Sequence, residues 1–211
     1  MRLYDYAASG NCYKARLALA LLERDYERVA VDIFAGDTLT DDYAAINPAR
    51  ETPVLELEDG TYLVQSNAIL WYLAEGTRLL PGTAAGRAQV LSWLMFEQEN
   101  IITGLAAPRF WLMTGRGESS LVAARQQRGR DALARLNEHL QERDFLAGSF
   151  SIADIAVFAY THVSADAGIS LDDYKTVRRW IGQVEAQPRF INDFVPYPAN
   201  ALPTVSRSIY D

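Results

Sequence analysis

The chain has one cysteine, Cys12, and only two histidines among its 211 residues. A single cysteine cannot form a disulfide within the chain, and so few soft ligands cannot build a structural zinc site. We therefore predict a protein without a metal. The scarcity of cysteine and the absence of a signal-peptide pattern at the N-terminus lead us to expect a cytoplasmic protein.

The chain also has fewer basic than acidic residues. The chain has 20 lysines and arginines against 27 aspartates and glutamates, which gives a formal net charge of −7. Proteins that bind nucleic acid or acidic membrane surfaces need a basic face to neutralise phosphates, so neither partner is expected. No apolar run reaches the roughly 18 residues of a membrane-spanning helix. The 49% of hydrophobic residues predict a globular protein of one large or two small domains.

The N-terminal part alternates between strand and helix patterns. Residues 2–7 and 27–34 have the β-branched and aromatic content of strands, and apolar residues at helical spacing predict a helix over 12–24. Strand, helix and strand in so short a stretch form a βαβ unit with parallel strands. Residues 53–64 then predict a hairpin, and residues 65–74 predict a helix. The sequence therefore predicts an α/β domain with a βαβ–ββα order and a mixed sheet.

Past a stretch rich in glycine and proline, the pattern is helical and no strand signal returns. Helical spacing of apolar residues covers 84–114, 119–143, 152–164 and 174–186. We predict an α/β domain over residues 1–77, a linker over 78–85, and an all-α helical bundle over 86–211 with an irregular tail from Pro196.

Two motifs place hydroxyl and amide side chains at the beginnings of helices. Ser9-Gly10-Asn11-Cys12 follows the first strand, and Ser66 follows the hairpin. The N–H groups and the dipole at a helix N-terminus favour an anion, so both positions suit a negatively charged ligand. The simpler interpretation is that Ser9 or Asn11, and likewise Ser66, only caps its helix.

A third motif, Thr52-Pro53-Val54, places a proline directly before a strand. A cis Thr52–Pro53 bond would leave the N–H and C=O groups of Val54 exposed, where they could pair with a peptide-like ligand. The alternative is a trans proline that opens an edge strand.

The order and spacing of these motifs resemble the glutathione transferase superfamily. The resemblance covers nearly the whole chain and is carried by Ser9 to Arg16, Asn47-Pro48, Thr52 to Leu55, Gln65 to Leu70, and Ser151 to Asp154. The pattern is most similar to bacterial theta- and nu-like members. It implies a thioredoxin-like N-terminal domain, an all-helical C-terminal domain, glutathione as co-substrate, and a homodimer.

The resemblance also implies roles for individual residues. Ser9 matches the residue that activates the glutathione thiol, and Asn11 matches an asparagine that approaches the sulfur. Val54 matches the residue that pairs with the cysteinyl backbone, and Gln65 and Ser66 match the pair that holds the γ-glutamyl carboxylate. Further positions that the resemblance places near glutathione are Thr38, Arg50, Thr52, Pro53 and, beside an acid of the partner subunit, Glu99. Those that it places in the pocket of the second substrate are Arg109, Phe110 and Trp111, although Phe110 and Trp111 are equally compatible with the core of the helical domain.

The chain departs from the family pattern at three positions, one of which is Thr38, where theta-like members often have a histidine or a glutamine. Theta-like members often have a lysine where this chain has Glu51, so Arg50 is the candidate for the missing positive charge, unless it is simply solvated. Gln65 replaces the more common glutamate, and its amide can both donate and accept.

Three further residues are predicted to be structural. Cys12 lies three residues after the position of the nucleophilic cysteine in omega-like members, which Ser9 occupies here. Because free cysteine is usually a small buried hydrophobe, we predict that Cys12 is part of the helix interior. Ser151 and Asp154 have the spacing of a capping box, which supports folding.

The expected reaction is attack by the glutathione thiolate on a hydrophobic electrophile. A free thiol has a pKa near 8.5, and lowering it by about 2 units requires about 2.7 kcal/mol of thiolate stabilisation, which the Ser9 hydroxyl and the helix N-terminus could supply. Two other functions stay open. One is a glutathione-dependent disulfide reductase or peroxidase, and the other is a non-catalytic glutathione-binding module on the same fold.

Overall fold

A four-stranded sheet organises the N-terminal part of the chain in the computed structural model, which describes residues 1–210. Its strands are β1 (Arg2–Asp5), β2 (Glu27–Ala30), β3 (Val54–Glu56) and β4 (Tyr62–Val64), in the order β2-β1-β3-β4. Strand β2 is parallel to β1, whereas β3 is antiparallel to both β1 and β4. The predicted βαβ unit, hairpin and mixed sheet are therefore confirmed.

Three α-helices accompany this sheet: α1 (Gly10–Leu21), α2 (Asp41–Ile46) and α3 (Ser66–Ala74). The sequence predicted α1 and α3 but not α2, which has only six residues and therefore too few apolar positions to show a helical period. Its N-cap is Thr40, whose hydroxyl accepts the N–H of Tyr43 at 3.2 Å.

The strand predicted over residues 27–34 ends early, at Ala30. Asp32 turns the chain there, because its carboxylate accepts the N–H of Phe34 at 2.9 Å and that of Ala35 at 3.2 Å. An aspartate that bonds to the backbone two or three residues ahead competes with a strand ladder. The apolar content of Val31 to Phe34 therefore reflects burial in a turn.

Helix α1 is buried on every side. All residues from Cys12 to Leu19 are buried, and they include the charged side chains of Lys14 and Arg16. A helix of this kind has no solvated face to place its charges on, so each buried charge needs a specific partner. Helix α1 is thus the element that both fills the core of the first unit and carries polar groups into it.

The remaining helices are α4 (Ala84–Phe96), α5 (Ala107–Thr114), α6 (Ser119–His139), α7 (Ile152–Thr161) and α8 (Lys175–Glu185). A π-helical segment, Glu97–Ala106, joins α4 to α5, so the single helix predicted over 84–114 is one continuous helical stretch with an altered middle. Within residues 1–210, the part of the chain after β4 contains no strand, which confirms the all-α prediction. None of the helices in that range is both long and apolar enough to cross a membrane.

Helix α7 is buried along its whole length and begins with the predicted capping box. Ser151 Oγ accepts the N–H of Ala153 at 3.3 Å, and the Ser151 N–H donates to Asp154 Oδ2 at 3.0 Å. The other carboxylate oxygen, Oδ1, accepts the N–H of Leu146 at 3.0 Å and the indole N–H of Trp180 at 2.9 Å. Asp154 therefore also joins the preceding loop and α8 to the start of α7.

The chain forms two compact units. One contains Met1–Leu73 together with the C-terminal stretch from Ile191, and the other contains Ala74–Phe190. The sequence assigned the tail to the helical domain, and the structure differs because the tail has polar partners in α1. The Tyr13 hydroxyl donates to the Ile191 carbonyl at 2.7 Å, and Arg16 pairs with Asp193 at 2.9 Å. Tail residues of this kind leave no periodic signal in the sequence.

Candidate functional site

Ser9 occupies the N-cap position of α1. Its hydroxyl oxygen accepts the N–H of Cys12 at 3.3 Å, and its own N–H donates to the Tyr6 carbonyl at 3.0 Å. Accepting a bond uses a lone pair of the hydroxyl oxygen, and the hydroxyl hydrogen can still be donated. The capping role is therefore compatible with donation to an anion above the helix.

A buried ion pair holds the loop that carries Ser9. The side chains of Arg16 and Asp5 are both fully buried and joined directly, and Arg16 Nη2 donates to the Ala7 carbonyl at 3.2 Å. Asp5 ends β1, so the pair fixes the end of the strand to the first turns of α1. Ser9 lies between the end of β1 and the start of α1, so this ion pair holds the backbone on both sides of it.

Asn11 and Ser66, two of the predicted site residues, meet through a lysine. Lys14 Nζ donates to Asn11 Oδ1 at 2.9 Å and to Ser66 Oγ at 3.3 Å, and the Ser66 hydroxyl donates to Asn11 Oδ1 at 3.4 Å. Lys14 is fully buried and Ser66 is 4% exposed. The structure thus brings the starts of α1 and α3 together, and it adds Lys14, which the sequence analysis did not assign to the site.

The peptide bond between Thr52 and Pro53 is cis, as predicted. The expectation for Val54 was wrong. Val54 lies opposite Tyr4 of β1 on one side and Val64 of β4 on the other, and it is fully buried. Its backbone is part of the interior of the sheet, because β3 has a neighbouring strand on both edges. Thr52, the residue before the cis bond, lies outside the strand and is partly exposed.

Gln65 and Arg50 have left-handed backbones, with φ of 70° and 58°. Such conformations are uncommon for residues with a side chain, and they cluster at functional sites. Gln65 precedes α3 with its side chain exposed, and its Nε2 donates to Glu51 Oε2 at 3.4 Å. This places the amide of Gln65 at the surface next to the buried Ser66.

The predicted role of Arg50 as a free positive charge is not supported. Its Nη1 donates to the carbonyls of Thr38 and Thr40, at 2.9 Å each. Arg50 therefore ties the loop before Thr52 to the short 3₁₀ helix Asp37–Leu39. The side chain of Thr38 is fully buried, and its hydroxyl has no hydrogen-bond partner within residues 1–210.

The loop before the cis bond has two further supports. The carbonyl of Glu51 accepts the Tyr43 hydroxyl at 3.0 Å and Asn47 Nδ2 at 2.9 Å. Burial raises the pKa of Tyr43, so this phenol stays a donor at any ordinary pH. Together with the bonds of Arg50, these contacts fix the backbone on the N-terminal side of Thr52.

Cys12 is fully buried in α1, as predicted, and its sulfur accepts the Tyr6 N–H at 3.3 Å. Burial raises the pKa of the Cys12 thiol to about 11. The thiolate is the reactive form of cysteine, so the environment of Cys12 makes it a poor nucleophile.

We expect the thiol of Cys12 to resist alkylation in the folded protein. A rise of the pKa from 9.0 to about 11 lowers the thiolate fraction at neutral pH roughly 100-fold, and burial slows reagent access further. Mass spectrometry after iodoacetamide treatment should show almost no modification of the native protein and complete modification in urea. Equal rates under the two conditions would contradict the structural role.

The other predicted site residues belong to the second unit. Glu99 is exposed and pairs with Arg128 at 3.0 Å. Arg109, expected in a substrate pocket, is 1% exposed and pairs with Asp166 at 3.1 Å, so its side chain has a structural partner and little access to solvent. The side chains of Phe110 and Trp111 are half-buried, as a residue that lines a pocket would be.

The arrangement in the first unit suits an anion with more than one negative group. Helices α1 and α3 both begin here, and their N-terminal N–H groups and dipoles favour negative charge. The Lys14 amino group lies between Asn11 and Ser66 and adds hydrogen-bond donors at the point where the two helices begin. Within residues 1–210, no group of three or more His, Cys, Asp and Glu side chains is arranged to hold a metal.

Comparison with known proteins shows what the chain resembles. Models of the glutathione S-transferase N-terminal and C-terminal domains match residues 8–75 and 119–183. The crystal structure of a glutathione S-transferase from Pseudomonas fluorescens Pf-5 is 42% identical, with a TM-score of 0.88 over 92% of this chain and 98% of that one.

Two curated proteins show narrower or more distant similarity. The disulfide-bond oxidoreductase YfcG of Escherichia coli K12 is 28% identical over 87% of this chain and 89% of its own length. Maleylacetoacetate isomerase of Pseudomonas aeruginosa is 39% identical, but the match spans only 36% of this chain and 36% of that protein.

Proposed function

The chain belongs to the glutathione S-transferase superfamily, and from this premise we propose that its first unit binds glutathione and stabilises the thiolate for attack on a hydrophobic electrophile. The observation that carries the proposal is the cluster in which Lys14, Asn11 and Ser66 meet, next to Ser9 at the start of α1. These groups supply hydrogen-bond donors and positive charge at two helix N-termini. Glutathione is anionic at both its thiolate and its carboxylates, so its chemistry matches that of the cluster.

In this proposal the Ser9 hydroxyl and the Asn11 amide donate to the glutathione sulfur. Gln65 holds the γ-glutamyl end from the surface, and Ser66 holds it from the helix start. There the Ser66 hydroxyl turns its single hydrogen from Asn11 Oδ1 to the carboxylate and leaves Lys14 as the donor to Asn11. The backbone of Thr52 takes the pairing role that the sequence assigned to Val54, because Val54 is enclosed between two strands. The pairing of a short peptide with an extended backbone segment is a common recognition mode.

The second substrate and the assembly state complete the proposal. Phe110 and Trp111 are the proposed apolar contacts of the electrophile, since both are half-buried aromatic side chains on α5. We propose a homodimer, in which an acid from the partner subunit near Glu99 meets the glutathione ammonium. Sedimentation analysis of the purified protein measures the assembly state directly.

Two measurements test the proposed activity. The protein should be retained on immobilised glutathione and released by free glutathione. It should then form a thioether product from glutathione and an electrophilic aromatic compound, identified by mass spectrometry. A protein that is retained but neither yields a thioether nor reduces a disulfide would leave a binding module, and a protein that is not retained would overturn the proposal.

A second candidate function is glutathione-dependent disulfide reduction. The similarity to the disulfide-bond oxidoreductase over 87% of the chain favours it, and so does the presence of Asn11 at the expected sulfur position. Because Cys12 is buried, glutathione itself would supply the sulfur for exchange. Turnover of a small disulfide in the presence of glutathione, without thioether formation from the aromatic compound, would select this function.

We expect Ser66→Ala to raise the KM for glutathione at least about 10-fold and to change kcat little. Its hydroxyl is proposed to hold a carboxylate that keeps its charge throughout the reaction, so the interaction is equal in the ground and transition states. The loss of one hydrogen bond to a charged group corresponds to about 1.5–3 kcal/mol. Ser120→Ala, at an exposed serine of α6, is the matched control. A fall in kcat at constant KM would contradict the assigned role.

A further inference from the structure

We propose that Lys14 is a positioning residue that fixes the orientation of the Asn11 side-chain amide, so that Asn11 Nδ2 is the end that donates to the glutathione sulfur. The inference rests on the proposed function of this site and deepens it. It assigns to the site a residue that the sequence pattern did not, and it explains how a flexible asparagine becomes a defined donor.

The first step is the spacing of Asn11 and Lys14 along α1. Residues three apart in a helix lie on the same face, so the lysine side chain can reach back to the residue one turn earlier. The distance from Lys14 Nζ to Asn11 Oδ1 is 2.9 Å, the ordinary length of a charge-assisted hydrogen bond. Lys14 is fully buried, and burial in a packed core restricts the rotamers that a side chain can adopt.

The second step concerns which end of the amide faces the lysine. Asn11 Oδ1 accepts hydrogen bonds from both Lys14 Nζ and Ser66 Oγ, at 2.9 Å and 3.4 Å. An amide turned by 180° would point its NH₂ group at the ammonium, and two donors would then face each other. An ammonium group has three donors and no acceptor, so it selects the oxygen end. The Nδ2 hydrogens are therefore directed away from Lys14.

The third step is why the residue is a lysine, which the proposal takes as protonated. Burying an ammonium group costs several kcal/mol before its interactions are counted, and an apolar side chain of the same length would fill the same space. The charge brings two effects that an apolar side chain lacks. It makes the bond to Asn11 strong enough to hold one orientation, and it raises the positive potential at the N-termini of α1 and α3, where an anion is to bind.

The experiment compares four proteins: wild type, Lys14→Met, Asn11→Ala and the double variant. The readouts are kcat, KM for glutathione, and the pH at which the thiolate absorbance of the glutathione complex appears. Because Lys14 acts through Asn11, Lys14→Met should lower kcat about 10-fold or more and move the thiolate titration to higher pH. In the Asn11→Ala background the same change should lower kcat less than about 2-fold, because coupled residues do not act additively.

Lys14→Arg is the conservative variant. It keeps a cationic donor that can select the amide oxygen, so it should recover most of the kcat that Lys14→Met loses. Thermal unfolding of every variant shows which of them are folded at the assay temperature. If Lys14→Met is unfolded there, the comparison of wild type with Lys14→Arg and Asn11→Ala decides, and a folded Lys14→Arg with the low kcat of Asn11→Ala would overturn the proposal.

Three other results would overturn the proposal for Lys14 even though the wild-type protein is active. These are an unchanged kcat and thiolate titration in Lys14→Met, fully additive effects in the double variant, and a rise in KM alone. The last result would mean that Lys14 grips a carboxylate directly. Failure of the proposed function is a different observation, because in that case wild type itself would not be retained on glutathione or form the thiolate.

Discussion

Replacing Asp154 with alanine is expected to lower the free energy of unfolding by about 3–5 kcal/mol, because three buried donors lose their acceptor. The carboxylate accepts the backbone N–H groups of Leu146 and Ser151 and the indole N–H of Trp180, and all four residues are almost inaccessible to solvent. Each buried donor left without a partner costs about 1–3 kcal/mol. Urea unfolding at neutral pH measures the change, and a loss below about 1 kcal/mol would contradict this account.

Asp154→Asn is the matched control, because it has the same shape and cannot titrate. Its Oδ1 can still accept from Leu146 and Trp180, but its NH₂ group would face the N–H of Ser151. We therefore expect Asp154→Asn to be destabilised less than Asp154→Ala and more than wild type. An asparagine variant as unstable as the alanine variant would show that the negative charge, and not the number of acceptors, is decisive.

Wild type and Asp154→Asn should also differ in how their free energy of unfolding depends on pH. Burial raises the pKa of Asp154 from 3.8 to about 6 in the folded protein, against the lowering effect of its donors. The folded state then binds the proton more tightly than the unfolded state, so this group stabilises the fold below about pH 4. That contribution is lost as the pH rises through 6. Relative to Asp154→Asn, the free energy of unfolding of wild type should fall between about pH 4 and pH 6.

Parts of the fold could be predicted where apolar residues repeat at a regular spacing over a long stretch, or where a short motif is present. The capping box at Ser151 and Asp154 depends on residues three apart, and the structure shows it as expected. The parallel pairing of β1 and β2 followed from the helix between them, because a crossover connection demands it. These features are local in sequence or are set by a rule of chain connection.

Features that depend on tertiary contacts were missed. Helix α2 is too short to show a period, and it owes its start to the Thr40 cap. The tail returns to the first unit through Tyr13 and Arg16, which are about 180 residues away in sequence from their partners. Predicting that Val54 pairs with a strand on each side would have required the full strand order, because a proline before a strand is equally compatible with an edge strand.

The residues of the candidate site also divide into those that the sequence indicates and those that only tertiary contacts reveal. Ser9, Asn11 and Ser66 stand at the starts of predicted helices, and the resemblance to the family is what assigned them to the site. Lys14 was missed, although a lysine within a run of buried helical residues is itself a signal, since a buried ammonium group needs a partner. For Arg50 the sequence left open a charge for the ligand or a solvated side chain, because a sequence does not show that its donors are used by the carbonyls of Thr38 and Thr40.

Ser9→Ala is expected to lower kcat by about 10–150-fold and to change KM for glutathione little. The Ser9 hydroxyl already accepts the Cys12 N–H, so its hydrogen is the part available to a ligand, and we propose that it donates to the thiolate. The negative charge on sulfur exists only in the reactive form, so this bond stabilises the reactive form selectively. The loss of one charge-assisted hydrogen bond of about 1.5–3 kcal/mol gives that range of rates. The thiolate absorbance of the glutathione complex should then appear at higher pH.

Cys12→Ala is the control that separates this mechanism from one based on the protein's own sulfur. The side chain is fully buried and its thiol pKa is raised, so its removal should leave kcat close to that of wild type. An inactive but folded Cys12→Ala beside an active Ser9→Ala would invert the assignment, because a mixed disulfide on Cys12 would then carry the reaction. If both variants are active, the thiolate must be stabilised by Asn11 or by the N–H groups at the start of α1. Asn11→Ala then decides between the two: it should show the loss of kcat expected here for Ser9→Ala if the amide that Lys14 orients stabilises the thiolate, and little loss if the N–H groups do.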